Sequence, residues 1–153
     1  MGAVSFKNSV MVCGSAGADL LFMACFVRKT ARRMTWIRRG GVYAGTLPAF
    51  YRAIKEHNIK ISDITYVLAT HYHPDHIGLV SELMNQGVKL LVIDTQYSHI
   101  HFADAILGRD HSLDYEPIHE DNAIIISTAE SRAFLANIGI DGEIVATTSH
   151  SAD

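Results

Sequence analysis

Ile64-Thr65-Tyr66-Val67-Leu68-Ala69-Thr70-His71-Tyr72-His73-Pro74-Asp75-His76-Ile77 changes character halfway along. The first six residues are β-branched, aromatic or apolar, and they predict a buried strand. The residues after them concentrate three of the nine histidines of the chain and one aspartate. If the chain stays extended past Thr70, the strand period of two puts His71 and His73 on one side. Pro74 disfavours helical backbone at His73 and prolongs the extended run. Beyond the proline, Ile77, Val80, Leu83 and Met84 recur at helical spacing. Asp75 and His76 fall at the start of that helix, where an aspartate can also cap backbone N–H groups. Two side chains from a strand end and two from a helix start therefore surround one hollow. Neutral imidazole is the commonest side-chain metal ligand, and a carboxylate beside it suits a hard or borderline divalent ion.

The pattern continues on both sides. Upstream, Thr46 is a suitable N-cap and Pro48 is tolerated in a first turn. Leu47, Phe50, Tyr51 and Ile54 then predict a helix running to about His57. Downstream, Gly87 suits the end of the helix that follows the histidines. Lys89-Leu90-Leu91-Val92-Ile93 predicts another buried strand. From Asp94 to Pro117 the periodicity weakens, with Ile100, Phe102, Ala105 and Ile106 marking a short helix. A long segment there would overhang the site and shape a substrate pocket. His99, His101, His111 and His119 lack tight ligand spacing and are expected to be exposed or hydrogen-bonded. Asp121-Asn122 turns the chain into a strand at Ala123-Ile124-Ile125-Ile126. Ser127 and Glu130 make a capping box for a helix with Ala133, Phe134 and Ile138 inward, ended by Gly139. Ile144-Val145-Ala146 predicts a further strand that delivers His150. Near the start, Val10-Met11-Val12 and Leu20-Leu21-Phe22, separated by Gly14 and Gly17, predict a hairpin.

The 153 residues, 48% hydrophobic and 19% charged, describe one folded domain rather than a disordered chain. A net charge of -3 predicts no polyanionic partner, so nucleic acid is not favoured. Two cysteines, Cys13 and Cys25, give neither a disulfide framework nor a zinc spacing, which fits reduced thiols in a cytoplasmic protein. No apolar run reaches the roughly 18 residues of a membrane span. Residues 28–45 stand apart as an atypical basic insertion or aberrant stretch. Arg28, Lys29, Arg32, Arg33, Arg38 and Arg39 are six of the thirteen basic residues, with no acid among them. An out-of-register reading of the coding sequence would produce such a clash with both neighbours.

H-x-H-x-D-H after an apolar strand and at the opening of a helix resembles the metallo-β-lactamase superfamily. Thr46 to Gly78 is similar to the helix, strand and metal loop of that fold. Asp121 to Asp153 is similar to the stretch that leads to its next metal histidine, here in Thr148-Ser149-His150-Ser151. The resemblance implies an α+β fold, part of an αββα sandwich, with residues 1–153 forming a single, incomplete domain. It implies one metal position held by His71, His73 and His150, and a second using Asp75 and His76. The bridging carboxylate and further histidine of the second position have no counterpart before Asp153. The expectation is therefore one firmly held zinc, an incomplete second site, and a truncated chain whose uncovered sheet invites self-association. An aspartate that the family commonly carries at the end of an early strand is absent, since Leu21-Phe22 runs into Met23-Ala24-Cys25.

The implied activity is zinc-dependent hydrolysis, a metal-activated water attacking an ester, amide, thioester or phosphoester of a small-molecule substrate, with Asp75 orienting the nucleophile or moving a proton. Two alternatives accompany it. One is a non-catalytic remnant or metal-binding module. The other is an iron-dependent redox member of the same fold, and manganese also suits the ligands. The ligand set does not separate these metals.

Overall fold

Which side of the sheet each helix covers follows from the alternation in the central strands. A computed structural model of the chain describes residues 2–6, 9–13, 23–27, 44–56, 60–110 and 112–146. Strands β4 (Ile64–Ala69), β5 (Lys89–Ile93) and β6 (Ile124–Ile126) run parallel, and β3 (Met23–Val27) pairs antiparallel with β4. The sheet order is β3-β4-β5-β6. Val67 lies opposite Leu90, Leu91 opposite Ile124, and Met23 opposite Ala69, so β3 begins beside the strand end that leads to the histidines. Strands β1 (Gly2–Phe6) and β2 (Ser9–Cys13) form a separate antiparallel ribbon.

Val67, Ala69, Leu90 and Val92 face one way and pack in one core with Phe50 and Ile54 of α1 (Leu47–Glu56). Ile77 of α2 (Pro74–Ile77) and Val80 and Leu83 of α3 (Val80–Asn85) join them. Leu68, Leu91, Ile93 and Ile126 face the other way, against Leu135 of α5 (Thr128–Asn137). Phe134 of α5 meets Tyr66 edge to face at 5.3 Å. Burial on both faces is why β4 and β5 read as unbroken apolar runs rather than as alternating ones. Each fully buried Val or Leu contributes about 1.5–3 kcal/mol. The described residues thus make a mixed helix and strand fold with a small, largely parallel sheet. Helix α5 stands on the face where the expected sandwich would place its second sheet.

Several expectations change. The single helix after the histidines is two, α2 and α3, broken at Gly78 and Leu79. Residues 76–81 are all buried, so the break lies inside the core and not at the surface. In the segment after β5 the inward residues are Ile100, Ala103 and Leu107, with α4 at Asp104–Leu107, while Phe102 and Ile106 are exposed. On α5 the capping box forms as expected, Ser127 and Glu130 each accepting from the other's backbone N–H. Leu135 is buried where Ala133 was expected inward. Ile144-Val145-Ala146 is not a strand. The Ile144 N–H donates to the Ser131 hydroxyl at 2.9 Å instead of to a neighbouring strand, and that hydroxyl donates to the Thr128 carbonyl at 2.6 Å. Residues 10–12 do form part of a hairpin, but their partner is residues 2–6. Leu20-Leu21-Phe22, the basic residues 28–39, His57, His111 and His150 lie outside the described residues. Among the described residues no helix is long and apolar enough to cross a membrane.

Candidate metal centre

Strand β4 ends at Ala69, and instead of staying extended as expected the chain bends at Thr70 and His71. His73, with φ of -74° and ψ of 153°, is extended before Pro74 at the first position of α2. That path brings His71, His73, Asp75 and His76 to one turn. His71 and His76 are buried, while His73 and Asp75 are half-buried. The His71 ring lies 3.9 Å from the His76 ring and 4.5 Å from the His73 ring, centroid to centroid. Nδ1 of His71 and Nδ1 of His76 both meet the Thr70 hydroxyl, at 3.2 and 3.3 Å. A hydrogen bond at one ring nitrogen fixes which nitrogen is left for a metal, so Thr70 orients both rings.

The segment between β5 and β6 docks on this turn at two points. The Gln96 side-chain amide donates to the Thr70 carbonyl at 2.6 Å. The Phe102 ring lies 5.2 Å from the His73 ring, inclined at 36°. Next to Phe102, His101 is held between two carboxylates, Nδ1 at 2.7 Å from Asp104 and Nε2 at 2.7 Å from Glu120. Tyr115 donates to the other oxygen of Asp104 at 2.5 Å, and Tyr97 donates to Glu120. Burial alone pulls the His101 pKa down, but the hydrogen bonds and charges of Glu120 and Asp104 outweigh it, and the net shift is upward. Hydrogen bonds from Tyr97 and His101 hold Glu120 below the usual carboxylate range.

The donor chemistry fits a divalent ion. Asp75 Oδ2 and His76 Nε2 are 3.3 Å apart. Two atoms each about 2.0–2.1 Å from a tetrahedral zinc are separated by about 3.3 Å, so this pair stands as two ligands of one ion would. Among the described residues no three such side chains converge on a single position.

A model of the metallo-beta-lactamase superfamily matches residues 41–140. The chain belongs to that superfamily. No curated protein and no solved structure gives a significant match. The matched metallo-beta-lactamase region takes in every element from α1 to α5, with the histidine turn in its first half. It stops short of residue 150 and leaves β1, β2 and β3 outside it. The superfamily is one of metal-dependent, hydrolase-like folds, and the H-x-H-x-D-H turn lies within the part of this chain that carries the membership.

The contacts of Gln96 and Phe102 with this turn were not foreseen. A lone amide and a lone aromatic in a weakly periodic segment carry no spacing signal, and only the docking of that segment on β4 reveals them. A second polar group lies on α3. Glu82 has its Oε2 buried with no hydrogen-bond partner among the described residues. Burial, and then the charges of Asp114 and Glu116, push its pKa up to about 7.

Proposed function

We propose that this metallo-beta-lactamase domain is a metal-dependent hydrolase acting on an ester, amide, thioester or phosphoester of a small molecule. The convergence of His71, His73, Asp75 and His76 on one turn carries this reading. His71, His73 and His150 would hold one zinc, and Asp75 and His76 would offer a second, weaker position. When bound, the ion lowers the pKa of water to roughly 7 and polarises the carbonyl or phosphoryl oxygen. Asp75 would orient the attacking water or move its proton. Thr70 keeps the His71 and His76 rings in a ligating orientation. Ile77, Val80 and Ile100 are all buried in one core cluster, and Ile77 adjoins His76 in sequence. The sheet β3-β4-β5-β6 is the first sheet of an αββα sandwich, with α5 over part of its inner face. A substrate approaches from the side of His73 and Asp75, the two half-buried members.

The test is metal content followed by turnover. Protein purified without added metal should carry about one equivalent of zinc, as a three-histidine site predicts. The double variant His71→Ala/His73→Ala should carry none, and unchanged zinc there would remove the ligand assignment. Iron in place of zinc would favour the redox alternative. Zinc retained without hydrolysis of any lactone, thioester or phosphodiester would make the domain a metal-binding module.

A further inference from the structure

We propose that Phe102 is a specificity-determining residue, an apolar wall beside His73 that selects substrates with an aromatic or extended apolar group next to the scissile bond. The proposal rests on the hydrolase reading above and names the substrate class of that site.

Its position is the first support. Phe102 keeps 50% of its surface exposed while its ring lies 5.2 Å from the ring of His73. An exposed large apolar side chain needs no explanation when it stands alone on a surface. This one leans on a half-buried imidazole of the candidate metal turn, and its free surface therefore lines the approach to that turn.

The anchoring of the backbone on both sides of it is the second. Ile100 and Ala103, on either side in sequence, are fully buried. The Phe102 N–H donates to the His99 carbonyl at 2.8 Å. His101 is clamped by Asp104 and Glu120, which are themselves backed by Tyr115 and Tyr97. Gln96 fixes the same segment to the Thr70 carbonyl. A side chain on an anchored backbone has only its own rotamers left to lose when a ligand covers it, so apolar contact with it is returned largely as binding. The packing of the segment does not need the ring, because its inward anchors are Ile100, Ala103 and Leu107.

Zinc-loaded full-length chain should be titrated calorimetrically with acetate and with phenylacetate, two carboxylates that resemble hydrolysis products. Wild type should bind phenylacetate about tenfold more tightly than acetate, the return expected for partly covering a phenyl ring. Phe102→Ala should bring the ratio close to one with acetate affinity and zinc content unchanged. Phe102→Leu should keep part of the preference. Acetate binding by the wild type tests the site, and the ratio tests Phe102. No preference in wild type, or a preference that survives Phe102→Ala, would overturn the specificity role. Loss of zinc in Phe102→Ala would overturn it too, making the ring a positioning residue for His73. If zinc-loaded wild type binds neither carboxylate, the hydrolase reading fails and the proposal falls with it.

Discussion

The histidines of the turn after β4 and the histidine of the segment after β5 are built in opposite ways. His71 and His76 are buried against one another and share a neutral hydroxyl, that of Thr70. His101 is exposed and has a carboxylate on each ring nitrogen. An imidazole that donates from both nitrogens has no lone pair left for a metal. His101 with Asp104 and Glu120 therefore has the composition of a metal site and the geometry of a clamp. In the turn the one carboxylate, Asp75, sits 3.3 Å from one ring, His76, and the rings lie against each other. Composition does not separate the two cases, but the partner of each ring nitrogen does.

The sharpest break would come from exchanging the two losses. His71→Ala should weaken zinc binding by at least about 100-fold, more than the 10–100-fold typical of an outer-shell partner. His101→Ala should leave zinc affinity within about threefold of wild type, since it holds no ligand directly. Competition with a chromogenic chelator reads both, and equal losses would erase the distinction. Next in size is Thr70→Val, which removes the shared hydroxyl while keeping shape. Zinc affinity should fall about tenfold or more, and zinc-free stability should fall by about 1–3 kcal/mol because the buried His71 and His76 nitrogens lose the hydroxyl. An affinity equal to wild type would show that the rings are oriented by packing alone.

A smaller effect belongs to the clamp. His101→Ala should cost about 1 kcal/mol in urea unfolding, a figure reduced for its exposure to solvent. The sign with pH follows from the raised pKa of His101. The contribution is fully present below about 6.5, the unfolded value, and is lost as pH rises through the folded value. The gap between wild type and variant should thus narrow from pH 6 to pH 8.5, and a widening gap would contradict the clamp. The smallest concerns Glu82, which has carboxylate neighbours and no cation on its own oxygens among the described residues. Its pKa, raised to about 7, makes the folded state bind the extra proton, so stability falls as pH rises from about 4.5 to about 7. Glu82→Gln should flatten that decline and add roughly 0.5–1 kcal/mol at pH 8, discounted because the group is partly open to solvent.

What the sequence made legible was local. Strands β4 and β5, the helix from Leu47 and the Ser127/Glu130 box each follow from a period or a cap inside a short window. The four candidate ligands of the turn were legible for the same reason, being six residues from end to end. Their supports were not, because Gln96 lies 26 residues from the Thr70 carbonyl it holds. Glu120 likewise lies 19 residues from His101. The α2–α3 break was hidden because Ile77, Val80 and Leu83 keep an apolar spacing that runs straight across Gly78 and Leu79. Ile144 reads as a strand residue by composition, and the hydroxyl that takes its amide proton comes from a serine on another element.

That serine gives the molecule a built-in gauge. The Ser131 hydroxyl has no solvent exposure and accepts the Ile144 N–H across 13 residues of chain. The Ile144 amide proton can meet deuterated water only when the first turn of α5 lifts off the sheet or residues 141–146 peel from α5. The rate at which this single amide deuterates therefore measures how often the segment leading toward His150 comes loose, with no metal, substrate or label needed.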